Sequence, residues 1–290
     1  MLAAPLNPAD INMIEGTYPI KPPLPATPGN EGVGVVEEVG SQVQSLKVGQ
    51  WVVPLRTAPG TWREAALFQA ADCHAVPSDL PLEAAATLCI NPPTAMRMLE
   101  EFVDLDPGDV VVQNGANSAV GRMVIQIAHA RGIRTVNLIR DRPGQDALEK
   151  ELVELGATVV TSEADLKAAL GSLDAPPPKL GLNCVGGSAA TLVAKTLCKG
   201  GTLVTYGGMS MKPVSLPTSL LIFKGLRARG FWLSGSDDRA AKISALDRLV
   251  PLLQAGKLKV RTQAVSLPEF QSALEQYRGG HLCGKLLFKF

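Results

Sequence analysis

Apolar residues follow two different rhythms along this chain. Up to about residue 100 they come in short alternating or β-branched runs set among glycine and proline. Residues 32–40, 48–54 and 61–68 read as strands, separated at short intervals by turn residues, the pattern of a small β-barrel-like domain. Residues 1–5 have the look of the end of a strand. Residues 82–88 and 94–101 read as helices that lead into the next domain.

From Asp109 the rhythm changes to strand, helix, strand, helix. Residues 110–114 (VVVQN) predict a buried strand. Val120, Val124, Ile127 and Ala128 then fall at i, i+4, i+7 and i+8, one face of a helix. Gly132 follows where a left-handed C-cap belongs. A second strand spans 135–139. Helix 148–155 ends at Gly156, residues 158–161 form a short strand, and the three prolines at 176–178 form a loop. Strand 180–185, helix 189–198, strand 203–208, strand 229–233 and helix 240–254 continue the alternation. Such alternation predicts an α/β fold with a mostly parallel, doubly wound sheet covered on both faces. Residues 284–290 are strand-like again and are expected to return to the first domain. The predicted division is therefore 1–100, 101–255, and a return segment 256–290.

Composition narrows the function. The chain has 290 residues and is 46% hydrophobic, enough for two buried cores. Its 28 basic and 27 acidic residues leave a net charge of +1, without the basic excess that a nucleic-acid or membrane surface demands. No apolar run approaches the ~20 residues of a membrane span. The five cysteines (Cys73, Cys89, Cys184, Cys198, Cys283) are far apart with no CxxC. Neither a disulfide scaffold nor a zinc ribbon is expected, and a reducing compartment or the mitochondrial matrix fits. The N-terminus shows no secretory apolar region and no Arg/Ser-rich amphipathic leader. Either a leader and the first strands have been removed, or this is a short form.

The candidate chemistry begins at Gly115–Ala116–Asn117–Ser118–Ala119–Val120–Gly121, between the first buried strand and its helix. A strand, a tight small-residue loop and a helix make the Rossmann-type βαβ unit that receives a dinucleotide pyrophosphate on the helix N-terminus. The loop departs from GxGxxG, with Ala116, Ser118 and Gly121 at the three glycine positions. Alanine and serine are still small enough for backbone to approach phosphate. At the end of the second strand Arg140 and Arg142 flank Asp141. Two guanidinium forks favour the 2′-phosphate of NADPH. Asp141 keeps NAD open, since an acidic side chain there would take the ribose, and an ordinary solvated charge cluster is the plain alternative.

The two-domain plan resembles the medium-chain dehydrogenase/reductase superfamily, whose first domain is a GroES-like β-barrel. Residues 7–12 (NPADIN), 28–32 (PGNEG), 91–95 (NPPTA), 113–121 (QNGANSAVG), 140–142 (RDR), 182–187 (LNCVGG), 206–209 (YGGM) and 230–234 (GFWLS) are similar to the mitochondrial trans-2-enoyl-CoA reductases. These belong to the zinc-free, quinone oxidoreductase-like branch. The resemblance covers nearly the whole chain. Two departures stand out: Ala119 replaces a glycine usual in that group, and the chain begins where the GroES-like domain is already under way, so that domain is N-terminally incomplete. The zinc alcohol dehydrogenases use a cysteine before the N-terminal aspartate and a His-Glu pair. Here Pro8–Ala9–Asp10 and Asn30–Glu31 stand instead, and His74, His129 and His281 are scattered, so no metal is expected.

The resemblance implies NADPH-dependent reduction of a trans-2-enoyl thioester, on CoA or acyl-carrier protein, to the saturated acyl thioester in mitochondrial fatty-acid synthesis. It makes Tyr18 the catalytic proton donor; its plain alternative is a loop aromatic packing on its own domain. It places Asn91 on the nicotinamide side, where a helix N-cap is the other reading. It lays Asn117, Ser118, Ala119 and Val120 along the pyrophosphate. Tyr206, Gly207, Gly208 and Met209, and likewise Phe231, Trp232, Leu233 and Ser234, become cofactor contacts at two strand ends. A plain turn or core packing would explain the same residues. Lys285 is assigned to a cofactor phosphate or amide, against a solvated lysine; Glu31 is read as structural. A homodimer is implied, and the mitochondrial matrix, or the cytosol for a native short form. Two other functions compete: a quinone or alkenal reductase of the same superfamily, and a catalytically impaired short form that only binds cofactor or partners.

Overall fold

The computed structural model describes residues 1–141, 143–236, 238–279 and 284–290. The chain forms two units, one of residues 1–93 with 236–290 and one of residues 94–235. The first unit opens with β1 (Ala3–Pro5), α1 (Pro8–Ile14), β2 (Gly34–Val35), β3 (Trp51–Pro54), β4 (Cys73–Val76) and α2 (Leu82–Ala86). Helix α3 (Asn91–Glu100) carries the chain across the boundary. The second unit continues with β5 (Val110–Gln113), α4 (Ala119–Ala130), β6 (Arg134–Leu138), α5 (Gln145–Glu154), β7 (Val159–Thr161) and α6 (Leu166–Ser172). It ends with β8 (Leu180–Asn183), α7 (Gly187–Thr196), β9 (Thr202–Thr205), α8 (Thr218–Lys224) and β10 (Arg227–Gly230). Helix α9 (Arg239–Gln254), β11 (Thr262–Ser266), α10 (Phe270–Gly279) and β12 (Lys285–Lys289) then complete the first unit.

The second unit is a parallel six-stranded sheet in the order β10-β9-β8-β5-β6-β7. The order reverses between β5 and β8, the switch point at which doubly wound sheets take their ligands. All four residues of β5 are buried, as a strand covered on both faces requires. Adjacent side chains on a strand end point to opposite faces. Leu138 accordingly packs with Val110, Val112, Val136, Val193 and Leu197, while Ile139 packs with Ile125, Leu152 and Val160. Each such buried side chain contributes about 1.5–3 kcal/mol.

The first unit holds two three-stranded sheets. In one, β12 lies between β1, antiparallel to it, and β11, parallel to it. In the other, β2, β3 and β4 form an antiparallel meander. Trp62 packs edge-on against Phe288 and Phe270, with centroids 5.0 and 5.5 Å away, and its Nε1–H donates to the Pro5 carbonyl at 3.1 Å.

The strands and helices read from the sequence lie close to where it puts them, but helices α1, α6, α8 and α10 and strands β4 and β11 were not read. Residues 61–68 are not a strand. Thr61 Oγ1 donates to the Glu31 carbonyl at 2.7 Å and Trp62 N–H to the Pro28 carbonyl at 3.0 Å, so side chains and a local loop satisfy this segment. The expected strand at 229–233 lies two residues earlier and closes in a 3-10 turn at Leu233–Gly235. The two compact units meet along the chain at 93/94 and 235/236. Helix α9 belongs with the first unit because its polar side chains bond there. Lys242 Nζ donates to the Leu55 carbonyl at 2.6 Å, and Asp247 lies 3.1 Å from His74 Nε2.

Candidate active site

The parallel-sheet unit gathers one set of candidate residues at the carboxyl ends of its strands. After β5 the chain turns at Gly115, whose φ of +61° suits glycine and whose Cβ, if present, would lie 2.4 Å from Cys184 Sγ. Ser118 caps α4, its side chain accepting from Gly121 N–H at 3.1 Å. A Cβ on Gly121 would stand 2.6 Å from the Ala116 carbonyl oxygen and 2.7 Å from that of Gly115. Helix and loop therefore touch through bare backbone at Gly121. Asn117, Ser118, Ala119 and Val120 are half-buried around this start. Arg122 straps the loop to the next helix: its Nε–H donates to the Asn117 carbonyl at 3.1 Å and its two terminal nitrogens to Glu151 at 2.7 and 3.0 Å.

Beneath the loop lie two buried amide networks that the sequence reading left without a role. Gln113 Nε2 donates to the Gly121 carbonyl at 3.0 Å and to Asn137 Oδ1 at 2.8 Å, and Asn137 Nδ2 donates to the Val159 carbonyl at 2.9 Å. One chain of amides thus ties β5, α4, β6 and β7. Asn114 Nδ2 donates to Asn183 Oδ1 at 2.7 Å, Cys184 N–H donates to Asn114 Oδ1 at 2.9 Å, and Asn183 Nδ2 donates to Thr205 Oγ1 at 3.1 Å. That second network fixes the ends of β5, β8 and β9 across the switch point. Amides at otherwise apolar strand positions were the available signal.

Arg140 and Asp141 are exposed beyond the end of β6, and Arg142 lies outside the described residues. Tyr206 and Gly207 are half-buried past β9, and Gly208 and Met209 are exposed. The Tyr206 hydroxyl is buried near Cys184 and Ser118, and burial pushes it well above the ordinary phenol range. Phe231 stacks edge-on with Phe102 at 5.9 Å, with the Arg97 guanidinium 5.4 Å from its ring centre. Trp232 is 44% exposed and its ring fills the space a Cβ on Gly235 would need. Leu233 and Ser234 are half-buried in the 3-10 turn.

The other set belongs to the first unit. Tyr18 is half-buried in the loop after α1, where its N–H donates to the Asn12 carbonyl at 3.0 Å. Helix α1 begins at a buried capping arrangement, Asn7 N–H donating to Asp10 Oδ2 at 2.7 Å. Asp10 Oδ1 accepts from Asn30 Nδ2 at 2.6 Å. Asn7 Nδ2 donates to Glu31 Oε1 at 2.8 Å. Lys285 enters this cluster from β12: Nζ donates to Asn7 Oδ1 and, at 2.6 Å, to Asn91 Oδ1, and lies 3.6 Å from Glu31 Oε1. The structure thus brings Asn91 and Lys285 together and joins them to Glu31. Burial pushes the Asp10 carboxyl up to about 7 against the pull of its hydrogen bonds, and burial likewise lowers Lys285 against Glu31 and Asp10. The cation among these carboxylates is an ammonium, and no three of His, Cys, Asp and Glu are grouped as metal ligands among the described residues.

Family matches cover parts of both units. Residues 1–78 match the family described as alcohol dehydrogenase GroES-like domain, and residues 119–249 the family described as zinc-binding dehydrogenase. The chain is 50% identical over 287 residues to the mitochondrial enoyl-[acyl-carrier-protein] reductase of Arabidopsis thaliana, covering 96% of this chain and 76% of that one. It is 49% identical over 284 residues to the protein of the same name from Homo sapiens, covering 95% and 76%. Among solved structures it is similar to the Etr1p/NADP/crotonyl-CoA complex, with a TM-score of 0.91 and 34% identity over 100% of this chain and 89% of that one. The Etr1p/Etr2p heterodimer from Candida tropicalis matches with a TM-score of 0.90 at 34% identity, again over 100% and 89%.

Proposed function

We propose a division of labour among these residues from a plain premise: the chain belongs to the mitochondrial enoyl-[acyl-carrier-protein] reductase family. Its reaction is the NADPH-dependent reduction of an enoyl thioester to the saturated acyl thioester. The observation that carries the residue-level reading is the loop at Gly115–Gly121. A helix start reduced to bare backbone at Gly121 and capped by Ser118 fits a pyrophosphate, which needs N–H groups and room rather than side chains.

When bound, the nicotinamide supplies the hydride for Cβ of the alkene. This chain supplies the rest. Asn117, Ser118, Ala119 and Val120 hold the pyrophosphate. Arg140, with Asp141 and Arg142 beside it, takes the 2′-phosphate, where a guanidinium forms charge-assisted hydrogen bonds. Tyr206 to Met209 and Phe231 to Ser234 line the cofactor at the ends of β9 and β10. Asn91 binds on the nicotinamide side, and Lys285 acts there by holding Asn91. Tyr18 hydrogen-bonds the developing enolate oxygen and delivers the proton that Cα requires, as a phenol can.

The partner is a second copy of the chain. Strand β10 is the edge of its sheet, all four of its residues are exposed, and Ile222 and Phe223 on α8 are 66% and 76% exposed. An open edge beside apolar side chains suits pairing with an identical edge. The relatives are mitochondrial by name, and we place this chain in the matrix.

One assay tests the reading. Oxidation of NADPH is followed with crotonyl-CoA, then with a small quinone, and each is repeated with NADH. Turnover with the enoyl thioester and preference for NADPH are expected. Turnover of the quinone alone would make the chain a quinone reductase, and cofactor binding without turnover would make it a binding protein.

A further inference from the structure

Glu31 is fully buried and the Lys285 side chain is 7% exposed, so two charges have been taken out of water in one place. Such a pair is weak support for stability and is retained more readily where it fixes a conformation. Here both charges act on the same short segment. Glu31 Oε2 accepts from Ile90 N–H at 3.1 Å, and Lys285 Nζ donates to Asn91 Oδ1 at 2.6 Å. The carboxylate holds the backbone at 90 while the ammonium holds the side chain at 91. An ammonium only donates, so it accepts one orientation of the Asn91 amide and rejects the flipped one, which would set NH2 against NH3⁺. With its carbonyl taken, Asn91 has its NH2 to offer. Asn7 completes the arrangement, donating from Nδ2 to Glu31 and accepting at Oδ1 from Lys285.

We propose that Glu31 and Lys285 are positioning residues for hydride transfer, locking the Asn91 amide so that its NH2 donates to the carboxamide oxygen of the nicotinamide. This rests on the reading that places Asn91 on the nicotinamide side. Neither Glu31 nor Lys285 touches the reacting atoms; both act through Asn91.

A double-mutant cycle tests it, read by NADPH affinity from cofactor fluorescence and by kcat and KM with crotonyl-CoA. Asn91→Ala is expected to weaken NADPH binding about tenfold, the size of one lost hydrogen bond. Lys285→Met should do nearly the same, and the two together should cost no more than Asn91→Ala alone, because Lys285 has nothing left to orient. KM for crotonyl-CoA should stay near wild type while kcat falls. Additive losses of NADPH affinity would overturn the proposal. Lys285→Met strands the Glu31 charge, so the cycle is repeated with Glu31→Gln/Lys285→Met, which removes both charges. If the cycle couples but wild type turns over no enoyl thioester, the reductase reading fails and the positioning stands. If wild type turns over and the cycle is additive, the reverse holds.

Discussion

Two side chains decide whether the proposed chemistry runs. Tyr18→Phe removes one oxygen from a half-buried loop. It is expected to keep NADPH affinity while kcat with crotonyl-CoA falls by about 10²-fold or more, the usual share of a positioned proton donor. Undiminished turnover would take Tyr18 out of the mechanism. Gly121→Ala tests the loop instead. Its new methyl meets two carbonyl oxygens inside 2.8 Å, both backbone and unable to swing aside. NADPH affinity should drop more than tenfold, and stability by about 1–3 kcal/mol as helix and loop part; urea unfolding and cofactor fluorescence separate the two. At this scale the sequence was partly legible. The small-residue loop and its final glycine announced the helix start. Lys285 was legible as a residue of interest, but its contacts with Asn7 and Asn91 were not, because those partners lie 278 and 194 residues away in sequence.

Strands β5, β6 and β8 were readable because burial on both faces leaves apolar runs, and α4 showed its periodic stripe before a glycine stop; α6 and α8 were not read, and the exposed β10 was placed two residues late. The first unit was less readable. Its strand β2 is two residues long, and segment 61–68 holds its place through Thr61 and Trp62 side-chain bonds that periodicity does not record. Helix α9 has a plain helical pattern, yet nothing local says which unit it joins; Lys242 and Asp247 settle that through Leu55 and His74. The exposed strand β10 carries a prediction of its own. Phe223→Glu places a charge on the apolar surface of α8 beside that edge. Light scattering should show the wild type as a dimer and the variant shifted toward monomer, with far-UV circular dichroism unchanged. A monomeric wild type would remove this surface from the interface.

The whole chain should also register the buried carboxyl of Asp10. Its folded pKa of about 7 is higher than the ordinary 3.8, so the folded state keeps a proton that the unfolded state has lost. Stability from this group is greatest below pH 4, declines as pH rises to about 7 and is flat above, with a slope of at most about 1.4 kcal/mol per pH unit. The groups facing it are Asn7, Asn30, Glu31, Lys285 and Tyr277. Asp10→Asn should abolish that part of the slope between pH 5 and 7, whatever it costs at each pH; matching profiles for the two proteins would contradict the assignment. A different consequence follows from β12 lying between β1 and β11. A ribosome delivers β1 first and its neighbour in the sheet only after residues 94–235 have emerged. The contiguous unit can mature while the earlier-made one waits unfinished, β1 bridged to Val33 but not yet paired with β12. Nascent chains halted before residue 285 should therefore bind chaperones through residues 1–93, and release of β12 should end that dependence.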